Sequence, residues 1–331
     1  MSGAALAYWL AEPTVGEIRP VELPAAGPED VVVRTVCSAI SRGTETLVFG
    51  GRVPESQYAA MRAPFQEGDF PAPVKYGYLS VGLVEEGPAH LDGRLVFCLF
   101  PHQTRYVVPA AAVVPVPDGI PAERAVLAGT LETAVNALWD AAPLVGDRVA
   151  VVGAGMVGCC VARLLSGIPG IHTTLVDVDE SRVSVAAALG VDFALASEAR
   201  TGALGGSHDL VVHSSATSEG LQLSLDLLAF EGEVVELSWY GDGEVGVALG
   251  GSFHSRRLGI RASQVAAVAP ARRSRRSPAD RLALALALLH DPAFDALVSG
   301  RSAFAELPAV MARLSDGSLP AICHIITYDQ G

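Results

Sequence analysis

The chain reads as α/β in two parts: a β-rich, barrel-like first third, and a doubly wound parallel sheet with a tail that returns to the first part. Three observations predict this. Up to about residue 117, short β-like runs are separated by Pro- and Gly-rich turns, with no strand–helix rhythm. From Ile120 onward helical and strand patterns alternate. Between them, residues 147–177 read DRVAVVGAGMVGCCVARLLSGIPGIHTTLVD, which is strand, glycine turn, helix and second strand in succession.

In the first part the β-like runs fall at 5–10, 30–38, 77–85, 95–99 and 104–108. The stretch 41–75 carries few strand signals and several turn residues. A short helix is expected around 55–61, and long excursions of this kind often shape a binding site. In the second part the pattern predicts a helix over 134–141, the central strand–turn–helix–strand unit, and a helix over 180–189 with Asp179 as N-cap and Gly190 as stop. Strands are expected at 209–213, 233–237 and 259–263, with a helix over 219–229 between the first two. Together these make one Rossmann-type domain over 118–265. The tail, 266–331, carries a helix over 278–289 and a last apolar run at 322–326. It is too short for a domain and is expected to complete the first one, 1–117.

The central unit carries the chemistry. Arg148 to Val152 suits a buried parallel strand. The turn that follows, Gly153-Ala154-Gly155-Met156-Val157-Gly158, is a GxGxxG between a strand and a helix. Gly153 allows the tight turn, Gly155 lets a pyrophosphate approach the backbone, and Gly158 lets helix and strand pack closely. Met156 and Val157 belong to the helix N-terminus that faces the phosphates. Asp177 ends the next strand, 24 residues after Gly153. It would accept hydrogen bonds from the adenosine ribose hydroxyls and repel a 2′-phosphate, so the expected dinucleotide is NAD rather than NADP. Loops at strand carboxyl ends line the nucleotide crevice of such a sheet. That rule draws in residues 213–217, including Ser214, and 237–240.

Size and composition agree with this reading. A chain of 331 residues suits two domains on the usual scale of about 100–200 residues each. Half the residues are apolar, and the mean hydropathy is +0.37. Apolar runs are broken well before the ~18 residues of a membrane span. The start MSGAALAYWLAEPT lacks the basic residues and cleavage site of a secretory signal. Five cysteines without a CxxC argue against a disulfide framework, and a reducing cytoplasm is the expected setting. A net charge of 23 − 36 = −13 makes nucleic acid and anionic membranes poor partners. The local exception is Arg272-Arg273-Ser274-Arg275-Arg276, readable as a solvated basic loop, a site for an anionic group, or a contact for a partner's acidic patch.

The order of parts, with GDRVAVVGAGMVG, VDVDESR and ALGVDFAL as the most specific pieces, resembles the medium-chain dehydrogenase/reductase superfamily over nearly the whole chain. CSAISRGTETLV is similar to that family's first substrate-domain motif and VKYGYLSVGLVEEG to its second. SRGTE and KYGY resemble the bacteriochlorophyllide dehydrogenase branch and bacterial proteins labelled zinc-binding alcohol dehydrogenase. The resemblance implies a GroES-like β-rich substrate domain, an NAD(P)-dependent oxidoreductase with a small-molecule substrate, and a homodimer through the last Rossmann strand. It also implies Arg42 at the cofactor pyrophosphate, and adds Arg182 and Thr133 to the cofactor-binding set.

The family's zinc alcohol dehydrogenases hold catalytic zinc through a Cys in the first motif, a His-Glu pair in the second, and a Cys or acid before the Rossmann domain. Here the first position falls on Ser41 and the pair on Tyr78-Leu79. The third falls near 128–130, which holds no Cys, Asp or His. A hydroxyl, a phenol and a leucine cannot replace thiolate and imidazole ligands. Cys98 is the only cysteine between 38 and 158, so the four-Cys structural lobe is missing too. No metal site is expected, and nothing in the spacing of Glu45, Glu132, His102 and Cys37 requires one.

Without zinc, a reacting carbonyl oxygen needs another donor and a proton relay. Tyr78 stands at the lost histidine position. A phenol, with its pKa of about 10, can protonate an alkoxide, more readily if a cation such as Lys75 lowers that pKa. Ser41, Glu45 and Glu132 complete the polar set expected to face the substrate, and His102 reads as a structural histidine. The expected function is hydride transfer between nicotinamide and a secondary alcohol or ketone, possessing no zinc, with a polyol, sugar or cyclitol as the favoured substrate type. Two other readings stay open: an NADPH-dependent quinone or enoyl reductase, which Asp177 weighs against, and a non-catalytic NAD(H)-binding sensor or scaffold, which would also have lost its zinc ligands.

Overall fold

The structure, a computed structural model, describes residues 5–202 and 204–329. The chain divides into two compact units. One comprises the chain up to Gly129 with Leu286–His290 and the chain from Val298 onward; the other comprises Thr130–Ala285 with Asp291–Leu297.

The first unit is built around the long strand Asp30–Ile40, which hydrogen-bonds to three others. Ser80–Glu86, Arg105–Pro109 and the tail strand Cys323–Thr327 all pair with it antiparallel. The tail strand also carries Val298–Ala303 in parallel, while Leu95–Cys98 and Val113–Pro115 extend the other side. A second sheet orders Val15–Val21, Ala5–Glu12, Val74–Lys75 and Glu67–Gly68. Alternation turns Val31, Val33, Val84, Val96, Tyr106 and Val108 into one core, where the Phe100 and Tyr106 rings stack at 3.9 Å.

The second unit holds six parallel strands: β1 (Arg148–Val152), β2 (His172–Asp177), β3 (Asp192–Leu195), β4 (His208–His213), β5 (Leu228–Glu236) and β6 (Gly259–Ala262). Their order is β3-β2-β1-β4-β5-β6. The order reverses between β1 and β4, the switch point at which doubly wound sheets bind ligands. Register lines up the carboxyl ends: Val152 pairs with Val176 and His213, His213 with Glu236, and Glu236 with Ala262. The strand interiors are apolar because both faces are covered, with Val151, Leu175, Val211 and Val234 fully buried.

Some elements differ from expectation. Residues 42–49, where no helix is expected, form the helix Arg42–Phe49, while the helix expected over 55–61 reduces to the single turn Glu55–Gln57. The first was hidden because its apolar residues, Leu47, Val48 and Phe49, bunch at one end. Its start is held by Glu45, whose Oε1 accepts the Ser41 backbone N–H at 2.7 Å. The helix expected over 134–141 begins earlier, at Ala128. Among the described residues no helix is long and apolar enough to cross a membrane.

Candidate functional site

At the end of β1 the backbone turns through Gly153, whose φ of +107° lies in the region open to glycine. A Cβ there would sit 2.8 Å from the Ser215 backbone N, and one on Gly158 would run into the Gly153 carbonyl. Gly155 is different: nothing lies within 4 Å of where its Cβ would be, so the turn is open at that point. Gly155 caps the helix Met156–Ser166 with no side-chain hydrogen bond. The first N–H groups of that helix, on Met156, Val157 and Gly158, therefore have no intrahelical acceptor. Open space, unspent N–H donors and the positive end of a helix dipole suit a phosphate.

Asp177 closes the turn from the side. Its Oδ2 accepts the Ala154 N–H at 2.6 Å and its Oδ1 the Asp179 N–H at 2.9 Å. This fixes the carboxylate beside the glycine turn. Arg182 pairs with Asp179 at 3.2 Å. The Ser214 hydroxyl donates to the Gly153 carbonyl at 3.1 Å and so buttresses the turn. Thr133 lies half-buried on the helix Ala128–Ala141.

At the ends of β4 and β5 the register produces a second polar group. His213 is fully buried. Its Nδ1 lies 2.7 Å from Glu236 Oε2, and its Nε2 lies 2.7 Å from Ser215 Oγ. The Tyr240 hydroxyl donates to Glu236 Oε2 at 2.8 Å and the Ser238 N–H to Oε1 at 2.7 Å. Burial pushes the Glu236 carboxyl up, but the hydrogen bond and charge of His213, then the Ser238 contacts, outweigh it and hold the group below its usual 4.5. A folded-state pKa below the unfolded one contributes stability above the unfolded value and loses it as pH falls through the folded value. Glu236→Gln is therefore expected to flatten the acid limb of stability below about pH 4.5, read from urea midpoints across that range. An unchanged acid limb would remove Glu236 as its source.

In the first unit, Ser41, Glu45 and Tyr78 do come together. The Tyr78 hydroxyl donates to Ser41 Oγ at 2.6 Å. Glu45, beyond its contact with Ser41, places Oε2 at 2.9 Å from His102 Nε2. His102 Nδ1 lies 2.7 Å from Ser38 Oγ, itself 2.8 Å from the Tyr328 hydroxyl. Ser38, Glu45 and His102 are at most 3% exposed. Gly77 makes room for this chain: its φ is +127°, and a Cβ would press on His102 Cδ2 at 2.9 Å. Arg42 is exposed in the first turn of its helix.

Two expected site residues have other partners. Lys75 is 1% exposed; it pairs with Glu67 and donates to Gln103 Oε1 at 2.8 Å. It supplies no pull on Tyr78, whose pKa is instead pushed up to about 12 by burial and then by the negative charge of Glu45, against the Ser41 and Thr44 hydrogen bonds. Tyr78 is thus a neutral hydrogen-bond donor and not a tyrosinate base. Glu132 faces a protein cation: Arg281, 2% exposed, donates through Nε to its Oε1 at 3.0 Å. Arg281 also reaches Asn136 Oδ1 and the Val265 carbonyl, each at 2.5 Å.

The donor set at the positions where the resemblance would place zinc ligands is not one that zinc ordinarily uses. Ser41, Tyr78 and Leu79 offer a hydroxyl, a phenol and hydrocarbon. The neighbouring Glu45 and His102 spend both oxygens and both ring nitrogens on each other and on Ser41 and Ser38. Among the described residues, no three of His, Cys, Asp and Glu converge as a metal-holding group. The Cys37 thiol is buried, and burial first, then Glu123 and Cys323, pushes its pKa up to about 12.

The sequence predicts a structural role for His102 and does not single out Ser38, Tyr328 or Glu236. One signal was present for Glu236: β4 ends in LVVH and β5 in EVVE, two apolar strands closing on a polar residue at the same register.

No protein-family model matches the chain, and no curated protein matches it. Solved structures do. L-idonate 5-dehydrogenase from Escherichia coli is 14% identical with a TM-score of 0.79, covering 99% of each chain. A Sinorhizobium meliloti protein described as a zinc-binding dehydrogenase and bound to NADP is 18% identical, TM-score 0.77, over 98% of this chain and 99% of its own. An E. coli alcohol dehydrogenase, rspB, in complex with NADH is 16% identical, TM-score 0.75, over 98% of this chain and 100% of its own. At such identities the likeness shows the fold: a Rossmann unit and a GroES-like β-rich unit in one chain.

Proposed function

We propose that this protein is an NAD(H)-dependent dehydrogenase/reductase acting on a secondary alcohol/ketone pair without zinc. The observation that carries the reading is the open glycine turn after β1, closed at its side by the fixed Asp177 carboxylate. Dehydrogenase names among the similar structures, one solved with NADH, support it. A nicotinamide dinucleotide bound there supplies or accepts the hydride. The free N–H groups of Met156, Val157 and Gly158 hold its pyrophosphate, and Asp177 takes the adenosine ribose hydroxyls and repels a 2′-phosphate. Tyr78 stays protonated and donates to the oxygen that becomes the alkoxide, which favours the direction of carbonyl reduction. Ser41 and Glu45 orient that phenol. A hydroxylated substrate such as a polyol, sugar or cyclitol matches this polar set.

The test is a paired titration with NADH and NADPH, followed by fluorescence or calorimetry, with metal analysis of the purified protein. NADH should bind about tenfold or more tighter than NADPH, and Asp177→Ser should erase most of that preference by removing the repelling charge. Zinc should be far below one per chain. Preference for NADPH by the parent would overturn the role given to Asp177, and one firmly held zinc would overturn the metal-free reading. We also propose a homodimer through the outer edge of β6, where Ile260 is 40% exposed. Light scattering should then give twice the 34.3 kDa chain mass.

A further inference from the structure

The basic run Arg272-Arg273-Ser274-Arg275-Arg276 is absorbed by none of the roles above. In a chain of net charge −13 it is anomalous. Among the described residues none of these four arginines forms an ion pair within 4.0 Å, whereas Arg34, Arg105, Arg163, Arg261 and Arg301, among others, do. The acid close by, Asp280, is spent on the helix Pro278–Leu288, where the Ser277 N–H and hydroxyl both donate to its Oδ2 at 2.8 Å. Arg276 exerts only the weakest of the pulls on it.

The run is not a loose loop. Backbone N–H groups of Arg272 and Arg273 donate to the Ala269 carbonyl, and those of Arg275 and Arg276 to the Arg272 carbonyl. Behind it, Arg281 holds the Val265 and Ala267 carbonyls, while Asn136 accepts the Ala269 N–H at 3.0 Å and donates to the Gln264 carbonyl at 3.4 Å. The guanidiniums therefore stand on a platform tied to a buried hub. Beside them lies an open groove of about 540 Å³, with Arg273, Ser274 and Arg276 on its rim and Ala267, Val268 and Pro278 among its apolar lining. Grooves that hold small molecules run from about 300 to 1,000 Å³, mostly apolar with a few placed polar groups.

We propose that this groove is a binding site for a small phosphate monoester with an apolar body. Arg273 and Arg276 grip the dianionic head through paired N–H donors, with the Ser274 hydroxyl adding a third contact, and the body lies on Val268 and Pro278. An extended polyanion is disfavoured, because the remaining surface of this chain is acidic.

The test uses phenyl phosphate as probe, with benzoate, inorganic phosphate and a short single-stranded oligonucleotide as further arms, followed by calorimetry on the full chain. Phenyl phosphate should bind, and the Arg273→Gln/Arg276→Gln double variant should weaken it by about tenfold or more. Both side chains are exposed, so the variant should keep the parent's melting temperature. Benzoate and inorganic phosphate should each bind more weakly, the first for lack of the dianion and the second for lack of an apolar body. Undiminished binding of phenyl phosphate by the variant would place the probe elsewhere, such as the glycine turn, and overturn the proposal. So would oligonucleotide binding without phenyl phosphate binding, or inorganic phosphate binding as tightly as the ester. A parallel loss of NADH affinity in the variant would make the groove part of the cofactor site, and would equally overturn it as a site of its own.

Discussion

Replacing Arg281 by methionine is expected to destabilise the protein by about 3–5 kcal/mol, the usual cost of stranding a buried charge. Arg281 and Glu132 are 2% and 5% exposed, so neither can turn to water when the other is lost. Even in the intact pair, burial raises the Glu132 carboxyl above its usual 4.5 and outweighs the lowering by Arg281. Without the guanidinium it must rise further. A carboxyl whose folded pKa is raised contributes stability fully below the unfolded value and loses it as pH climbs through the folded one. The deficit of Arg281→Met should therefore be smallest near pH 4 and grow toward neutrality, read as urea midpoints at about pH 4 and 8. Pairing it with Glu132→Met should recover most of the loss, because two apolar side chains replace the ion pair. A deficit that is flat in pH would show that the lost contacts to Asn136 and Val265 dominate and the charge does not. In either case hydrogen exchange over 264–277 should quicken in the single variant, since Arg281 ties that segment down.

Replacing Tyr78 by phenylalanine should lower turnover by about 10²–10⁴-fold once a substrate is in hand, the usual contribution of one placed acid. The NADH affinity should not change, because Tyr78 has no part in holding the dinucleotide. Its pKa, pushed up to about 12, means that no ionisation of this phenol should enter the pH–rate profile in the neutral range. Turnover unchanged in the phenylalanine variant would remove Tyr78 from the mechanism. A rate that climbs with a midpoint near pH 8–9, and loses that limb in the variant, would reinstate a tyrosinate base.

The contrast between Tyr78 and Lys75 shows where sequence reading ends. Three positions apart on one short motif, VKYGY, they read together as phenol and activating cation. The Lys75 ammonium in fact lies among Glu67, Gln103 and the Phe100 ring, 5.3 Å from its centroid. Neither Glu67 nor Gln103 announces itself as its partner in the one-dimensional chain. Glu132 and Arg281 are 149 residues apart, and His102 joins Glu45 across 57; no local pattern pairs them.

What the sequence determined alone is whatever repeats or is local. Short β-like runs between Pro- and Gly-rich turns placed the β-rich first unit, and the strand–helix rhythm placed the parallel sheet. The glycine spacing located the open turn after β1, because backbone conformation at Gly153 is a property of that residue and its immediate neighbours. What only the tertiary structure decided is which ionisable groups are spent on one another. Whether Glu132, Lys75, Glu45 and His213 are free for chemistry or consumed as partners depends on strand register and long-range packing. Burial then raises the Glu132 carboxyl and lowers the Lys75 ammonium, since the cost of an ion away from water is fixed by its surroundings and not by its neighbours in the chain.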